Sequence, residues 1–442
     1  MSFRWKATAC CVVAAFALDH SGAAAQQPIV ASAVVQQDYE ALAQQMYQSP
    51  SDLDVSFKFA EQAVARGDYE AAIGALQRML LTNPDLPRVR LQLGVLYFKL
   101  GSFEIARGYF QEALKGADLP AELRGQVMAY LAEIDRRLSR DEYTVFLHGG
   151  VRHQSNANVG PNGLQVRALG QDAVLDAKYG KQPDWNAFQT VVANYAHKLD
   201  LRGDAIEVGF LGLDSRQNRL SQFNLGLVEL TLGQRVAIGQ SASFKVYGIG
   251  DKVWLGDADY FNAAGGGLSA RTALGSLGSA EALVESRHRR FVDSTNYPTA
   301  SEQSGDLLTA AIATDLTFGQ LHWTTRLGYD SNQAVVGYNS YKRTAIDMAV
   351  PIAFAVPLFG TPHQFVFAPT AGYSSSNYQA ANLVVDPTVR RDKEYRVGAI
   401  FDAQLVDNIG VRTQLNYFKI DSNLPNYRTN NLSVSVGPTV RF

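Results

Sequence analysis

The chain has 442 residues, 46% of them hydrophobic and 19% charged, with a formal charge of −2 and a mean hydropathy of −0.11. That near-neutral balance gives no electrostatic footprint for a nucleic acid, and beyond Ala25 no apolar run is long enough for a membrane-spanning helix. Both cysteines, Cys10 and Cys11, precede Ala25, so the remainder has none with which to form a disulfide.

Arg4 and Lys6 precede an apolar run over residues 7–18, and three alanines precede Gln26. A positive n-region, an apolar h-region and a small-residue site predict a signal peptide over residues 1–25, cleaved after Ala25, and export from the cytoplasm. The rival reading is a short apolar helix that stays in the cytoplasm. Cys10 and Cys11 read as h-region filler rather than a lipid-anchor site, because the apolar run continues past them. Arg4, Lys6 and Asp19 leave with the leader, which takes the formal charge to −3.

Residues 36–140 read as helix. "ARGDYEAAIGALQRMLLTNP" (65–84) and "KLGSFEIARGYFQEALKGAD" (99–118) align with Gly67 on Gly101, Tyr69 on Phe103, Ala72 on Ala106 and Leu76 on Phe110. The shared offset, about 34 residues, is the period of a tetratricopeptide repeat, a helix–turn–helix unit. Glycine serves the tight turn, the aromatic packs between helices, and alanine allows close approach. Leu93, Gly94 and Tyr97 add the spacing expected within the first helix of the second copy, and Pro84 closes the first copy, whereas Asp118 stands where the second would have proline. Two repeats need caps, and "DYEALAQQMYQ" (38–48) and residues 120–140, amphipathic through Val127, Tyr130, Leu131 and Ile134, are expected to supply them. Lys58, Glu61, Arg88, Gln92 and Lys99 are the expected lining of a partner-binding groove; the alternative is that they are ordinary solvated charges.

From Tyr143 onward the period changes from 3.6 to 2. Runs of about 10–14 residues rich in Tyr, Phe, Val, Thr, Ala and Gly suit tilted strands that cross a bilayer. The connections alternate. Short turns are expected at 200–204, 233–240, 274–279, 318–320, 357–362 and 406–410. Longer polar loops are expected at 155–186, 214–222, 256–262, 293–306, 331–341, 376–393 and 421–431. Six turns and seven loops join fourteen strands, with twelve or sixteen as alternatives and a soluble β-sandwich as the rival. The expected fold class is therefore α+β multidomain: a periplasmic α-helical module over 36–140, then an antiparallel transmembrane β-barrel over 143–442. An even strand number returns both ends of the barrel to the periplasm, which is where the module is expected.

The chain ends "NLSVSVGPTVRF". Leu432, Val434, Val436, Val440 and Phe442 alternate with small polar residues, so one face is greasy and the other wet. This strand is expected to turn those five residues to lipid and to pair with the first strand, because unpaired backbone in hydrocarbon costs several kcal/mol per group. Pro438 is unusual within a strand and leaves the pairing there open. A terminal phenylalanine on such a strand resembles the signal read by the barrel-assembly machinery of Gram-negative outer membranes.

No catalytic constellation emerges, and the chain is expected to be neither an enzyme nor the holder of a cofactor or metal. His148 and His153 differ by five, so on one strand they face opposite ways. "GDADY" (256–260) reads as an Asp-rich turn rather than a calcium loop. "RGD" (202–204) is a tight turn. "ESRHRRF" (285–291) is expected to mark a strand leaving the membrane, its arginines facing the lumen or binding lipopolysaccharide phosphates.

The stretch "VRLQLGVLYFKLGSFEIARGYFQEAL" (89–114), then "VMAYLAEIDRRLSR" (127–140), then "HQSNANVGPNG" (153–163), with "GYDSN" (328–332) as a later echo, resembles the junction of the surface lipoprotein assembly modulator (Slam) family. The residue-level match is confined to the junction, positions 89–163, while the architecture extends over the mature chain; the short repeat region and the loops without a large insertion depart from the family. The resemblance implies an outer-membrane translocation and assembly factor that delivers a lipoprotein or related secreted protein from periplasm to cell surface. It implies that client and a periplasmic chaperone as partners, beside the barrel-assembly machinery expected from the terminal strand and the outer-membrane lipid expected around the barrel; no nucleic acid is expected. The alternative is a repeat-linked outer-membrane pore for polysaccharide or small solutes.

Overall fold

The computed structural model describes residues 33–49, 52–116, 119–200, 202–319, 321–358, 361–406 and 408–442. The expected signal peptide and Asp118 lie outside them. Two compact units divide the described chain at Arg140.

The first unit contains six described helices: α1 (Ala33–Gln48), α2 (Leu53–Arg66), α3 (Tyr69–Thr82), α4 (Pro87–Lys99), α5 (Phe103–Lys115) and α6 (Ala121–Leu138). Local signals set their ends. Asp52 and Asp68 accept hydrogen bonds from the first-turn N–H groups of α2 and α3, and Pro87 opens α4 where no N–H partner is needed. Gly67 and Gly101, the aligned pair, both take left-handed backbone (φ 78° and 75°) in the turns between paired helices. The repeat positions form the core: Ala72 and Ala106 are fully buried, as are Leu76 and Phe110, with Leu93 and Leu96 beside them. Both caps are present. Tyr39 of α1 stacks on Phe59 at 5.0 Å, and α6 buries Val127 and Ile134 while its Tyr130 stacks on Phe110 at 5.0 Å.

The second unit is a closed antiparallel barrel of fourteen strands: β1 (Asp141–Gln154), β2 (Asp184–Lys198), β3 (Ala205–Gln217), β4 (Leu225–Ile238), β5 (Ala242–Leu255), β6 (Ala258–Ala273), β7 (Gly278–Phe291), β8 (Gly305–Phe318), β9 (Leu321–Ala334), β10 (Tyr341–Ala349 with Ile352–Leu358), β11 (Thr361–Tyr378), β12 (Arg391–Val406), β13 (Ile409–Ser422) and β14 (Thr429–Arg441). Each strand pairs with its sequence neighbours, and β1 pairs with β14 to close the ring, Phe146 opposite Arg441 and Gln154 opposite Ser433. Closure leaves no sheet edge, which is what a strand-built membrane span requires. β10 is interrupted at Val350 and Pro351, yet both pieces pair with β11. Proline cannot donate to the ladder, so the break falls where a strand tolerates it.

Two connections differ from the sequence expectation. The expected loop at 256–262 is a two-residue turn, because Gly256 and Asp257 both adopt positive φ (62° and 63°) and Ala258 already begins β6. The turn expected at 233–240 is also shorter, since β4 continues to Ile238 and Gly239 makes the bend. In both places polar or glycine residues suggest a turn, while the ladder continues through them.

Alternation sorts the barrel side chains. Leu230, Leu232, Val246, Leu268, Val284, Ile312, Leu327, Val397 and Leu415 are exposed on the exterior, while Glu229, Thr231, Tyr247 and Arg287 face the lumen. Among the described residues no helix is long and apolar enough to cross a membrane. A closed barrel with an apolar exterior is the signature of an outer-membrane protein.

Candidate functional site

In the helical unit, the five residues expected to line a groove all lie on α2 or α4, the first helices of the two repeats, and all are exposed. Lys58 and Glu61 are three apart, Arg88 and Gln92 four apart, and Lys99 follows Gln92 by seven, so each helix carries its set on one face. Lys99 lies 6.0 Å from the Tyr69 ring centroid.

In the barrel, the lumen is lined by ion pairs from neighbouring strands. Arg287 of β7 donates to Asp251 of β5 at 2.6 Å and to Glu229 of β4 at 2.9 Å. Glu229 and Asp251 are directly opposite one another, so a single guanidinium bridges two like charges. The local sequence permits this because Gly265 and Gly267 leave β6 bare between them. A Cβ on Gly267 would come within 2.4 Å of the Tyr247 ring, which lies across that strand and donates from its hydroxyl to Glu285 at 3.0 Å. A cavity of about 240 Å³ opens onto this group, lined also by Thr231, Lys245 and Glu281.

The same pairing recurs around the wall. Glu207 accepts from Arg235 at 2.6 Å and from Lys245 at 2.8 Å. Asp330 pairs with Arg343 at 3.1 Å and Asp347 with Arg396 at 2.7 Å. Arg412 grips both oxygens of Asp402 at 2.6 Å, and Arg441 of the last strand adds a contact at 3.0 Å. The arrangement makes a polar lumen wall in which most charges are paired. Among the described residues no group of three or more His, Asp or Glu is placed to hold a metal ion.

His148 and His153 face opposite ways: His148 is buried against Phe188 inside, and His153 meets Trp185 outside. Arg287 and Arg289 of "ESRHRRF" face the lumen, whereas His288 and Arg290 are exposed on the exterior. Asp257 of "GDADY" binds Arg216 and Asn224, and Asp259 binds Lys252. Leu432, Val434, Val436 and Phe442 are exposed on the exterior face, with Val440 half-buried on the same side.

The loops at the Gln154 end of β1 hold one another. Asn156, fully buried, donates to the Gly160 and Asn430 carbonyls and the Thr429 hydroxyl, and its backbone N–H donates to the Asn431 side chain. Asn158 donates to the Gly180 carbonyl. "SNANV" is thus a structural knot that ties the first loop to the start of β14. Within that loop, Gln165–Ala168 and Gln171–Val174 form a ribbon whose Arg167 donates to Asp386 at 2.8 Å and shares two hydrogen bonds with Asn426. The first, sixth and seventh loops are therefore one interlocked layer. The asparagines stand out in the sequence, but their partners do not: Thr429 lies 273 positions from Asn156 along the chain.

The paired helices and their repeat register agree with a family match. The tetratricopeptide repeat family model matches residues 63–124. No curated protein matches the chain. Among solved structures, the repeat region is similar to the Yersinia enterocolitica type III secretion chaperone SycD in complex with a peptide of the translocator YopD. Identity there is 15%, covering 24% of this chain and 82% of that one, with a TM-score of 0.22. MamA MSR-1 is 26% identical, covering 24% of this chain and 59% of that one (TM-score 0.21), and the P58(IPK) TPR domain is 20% identical, covering 24% and 29% (TM-score 0.22). A tetratricopeptide-repeat unit followed by a fourteen-strand barrel is consistent with an outer-membrane assembly or transport factor.

Proposed function

We propose that this protein is a Slam-type translocation factor of the outer membrane, a non-enzymatic device that delivers a lipoprotein or related secreted protein from periplasm to cell surface. The observation that carries the reading is the direct continuity of a tetratricopeptide-repeat unit with a closed fourteen-strand barrel, α6 ending at Leu138 and β1 starting at Asp141. The exposed faces of α2 and α4, with Lys58, Glu61, Arg88, Gln92 and Lys99, capture the client or its chaperone in the periplasm. The barrel provides the path across, with client folding or binding outside as the driving force. The terminal strand, with Leu432, Val434, Val436, Val440 and Phe442, is the recognition element for the barrel-assembly machinery.

Deleting residues 36–140 from the exported chain tests the reading. The barrel is expected to insert, and surface display of the client to be lost. Unchanged display would overturn the capture role. A large, steadily open conductance of the purified protein in planar bilayers would favour instead a pore for polysaccharide or small solutes, a reading that the polar lumen also supports.

A further inference from the structure

The exterior carries its cations unevenly. On β3 to β7, Arg216 pairs with Asp214 at 2.8 Å and Lys252 with Asp259 at 3.2 Å, both on the outer face. Arg290, the other exterior cation of that arc, has Asn262 opposite. On β10 to β13 the pattern is different. Lys342, Arg391, Lys393 and Lys419 are exposed on the exterior, and among the described residues none of them has an ion-pair partner.

Register brings the four together. Lys342 is opposite Asn377, which is opposite Arg391, so one row across three strands holds a cation at each end, about 10 Å apart at the usual strand spacing. Lys393 follows Arg391 on the same face, two residues along β12. Lys419 is opposite Tyr395, which places it diagonal to Lys393, roughly 7–8 Å away. The one carboxylate on the exterior of these strands, Asp421, is opposite Lys393 and leaves the patch strongly positive.

Directly below the cations comes a band of exterior tyrosines: Tyr329, Tyr373, Tyr395 and Tyr417, with the rings of Tyr373 and Tyr395 5.3 Å apart. Below these, the same faces turn apolar through Ile346, Phe367, Val397, Phe401 and Leu415. Along β12 and β13 the order is apolar, aromatic, then cationic, while β10 contributes Ile346 and Lys342 and β11 contributes Phe367 and Tyr373 to the matching levels; that is the order of a bilayer's tails, interface and headgroups. Cations left unpaired at headgroup level face phosphate.

We propose that the exterior of β10–β13 is a docking surface for a phosphorylated glycolipid of the outer leaflet, its phosphates held by Lys342, Arg391, Lys393 and Lys419 and its acyl chains laid against the apolar band. The inference rests on the outer-membrane reading, and on nothing about the client. Two or more phosphates on one headgroup match a patch whose cations are spread over about 10 Å, and a single charge does not.

The test uses the full mature chain in phosphatidylcholine nanodiscs, with lipid A, enzymatically dephosphorylated lipid A, phosphatidylglycerol and polyglutamate as probes. The variant is Lys342→Gln, Arg391→Gln, Lys393→Gln and Lys419→Gln together, with Lys252→Gln as the control for a paired exterior cation. Heat-modifiable mobility on gels confirms that each barrel is folded. Expected are retention of lipid A by the wild type, loss on dephosphorylation, about tenfold or greater weakening in the quadruple variant, and no change in the control. Equal lipid A binding by the quadruple variant would overturn the proposal, as would phosphatidylglycerol or polyglutamate binding as tightly as lipid A. Failure of client display in cells would instead bear on the translocation reading and leave this binding result standing.

Discussion

Arg167 donates from Nε to Asp386 at 2.8 Å, across 219 residues of sequence, and so fastens the ribbon of the first loop to the sixth. Hydrogen bonds from Thr388 and from Arg167 hold the Asp386 carboxyl at about 2, below the 3.8 of a free side chain. A carboxyl whose pKa is depressed by folding stabilises the folded arrangement above about pH 4, and that contribution is lost as the pH falls toward 2. Pepsin cleavage within residues 155–183 should therefore rise as the pH is lowered from 5 to 2. In Asp386→Asn the loop should be cut readily throughout, with little pH dependence beyond that of the protease itself.

Removing Arg287 leaves Glu229, Asp251 and Glu285 facing one another. Asp251 is nearly buried and has one oxygen without a hydrogen-bond partner even in the intact protein. Arg287→Met should lower barrel stability by about 3 kcal/mol, the scale for orphaning a partner in a buried pair. The midpoint of heat-modifiable unfolding reads this out. Adding Asp251→Asn should restore part of the loss, whereas a lumen that merely hydrates the carboxylates would show no rescue.

Gly94 in α4 sits against Phe110 of α5, and a Cβ there would lie 2.6 Å from the ring. Gly94→Ala is expected to destabilise the helical unit by roughly 1–3 kcal/mol through overpacking. Helical circular dichroism of the full chain in detergent should melt earlier, with strand signal and gel mobility unchanged. Gly108→Ala, which meets no atom within 4 Å, is the matching control.

Pro438 breaks the closing seam. Val145 and Phe442 exchange both backbone hydrogen bonds, and the antiparallel period of two puts the position of Pro438 in the same class, opposite Gly149. Proline has no N–H to give, and the Cα pairing of β1 with β14 lapses at Gly149 and Gly150. Pro438→Ala should add a bond worth about 1 kcal/mol and raise the thermal midpoint. If transport requires the seam to part, client display should fall as stability rises; unchanged display would point to the lumen as the path.

What the sequence determined by itself was local and periodic. The repeat echo placed Ala72, Ala106, Leu76 and Phe110 in the helical core, because a helix face is set by spacing. Alternation along Leu432, Val434 and Val436 fixed which side of β14 is exterior, because a strand has only two faces. Six turns against seven loops pointed to fourteen strands with twelve and sixteen left open, and the closed ring settles the number at fourteen. Where expectation and structure part, as at Asp257 and Ile238, one residue of turn chemistry outweighs composition.

The tertiary structure decided everything that joins distant segments. Nothing near Asn156 announces Thr429, and nothing near Arg167 announces Asp386. Nor does the stretch around Lys393 show that Lys342 and Lys419 stand close by on the same outer face. Those relations are set by closure: once β1 meets β14, the shared register of fourteen strands dictates which side chains become neighbours, and a single segment carries no record of that register.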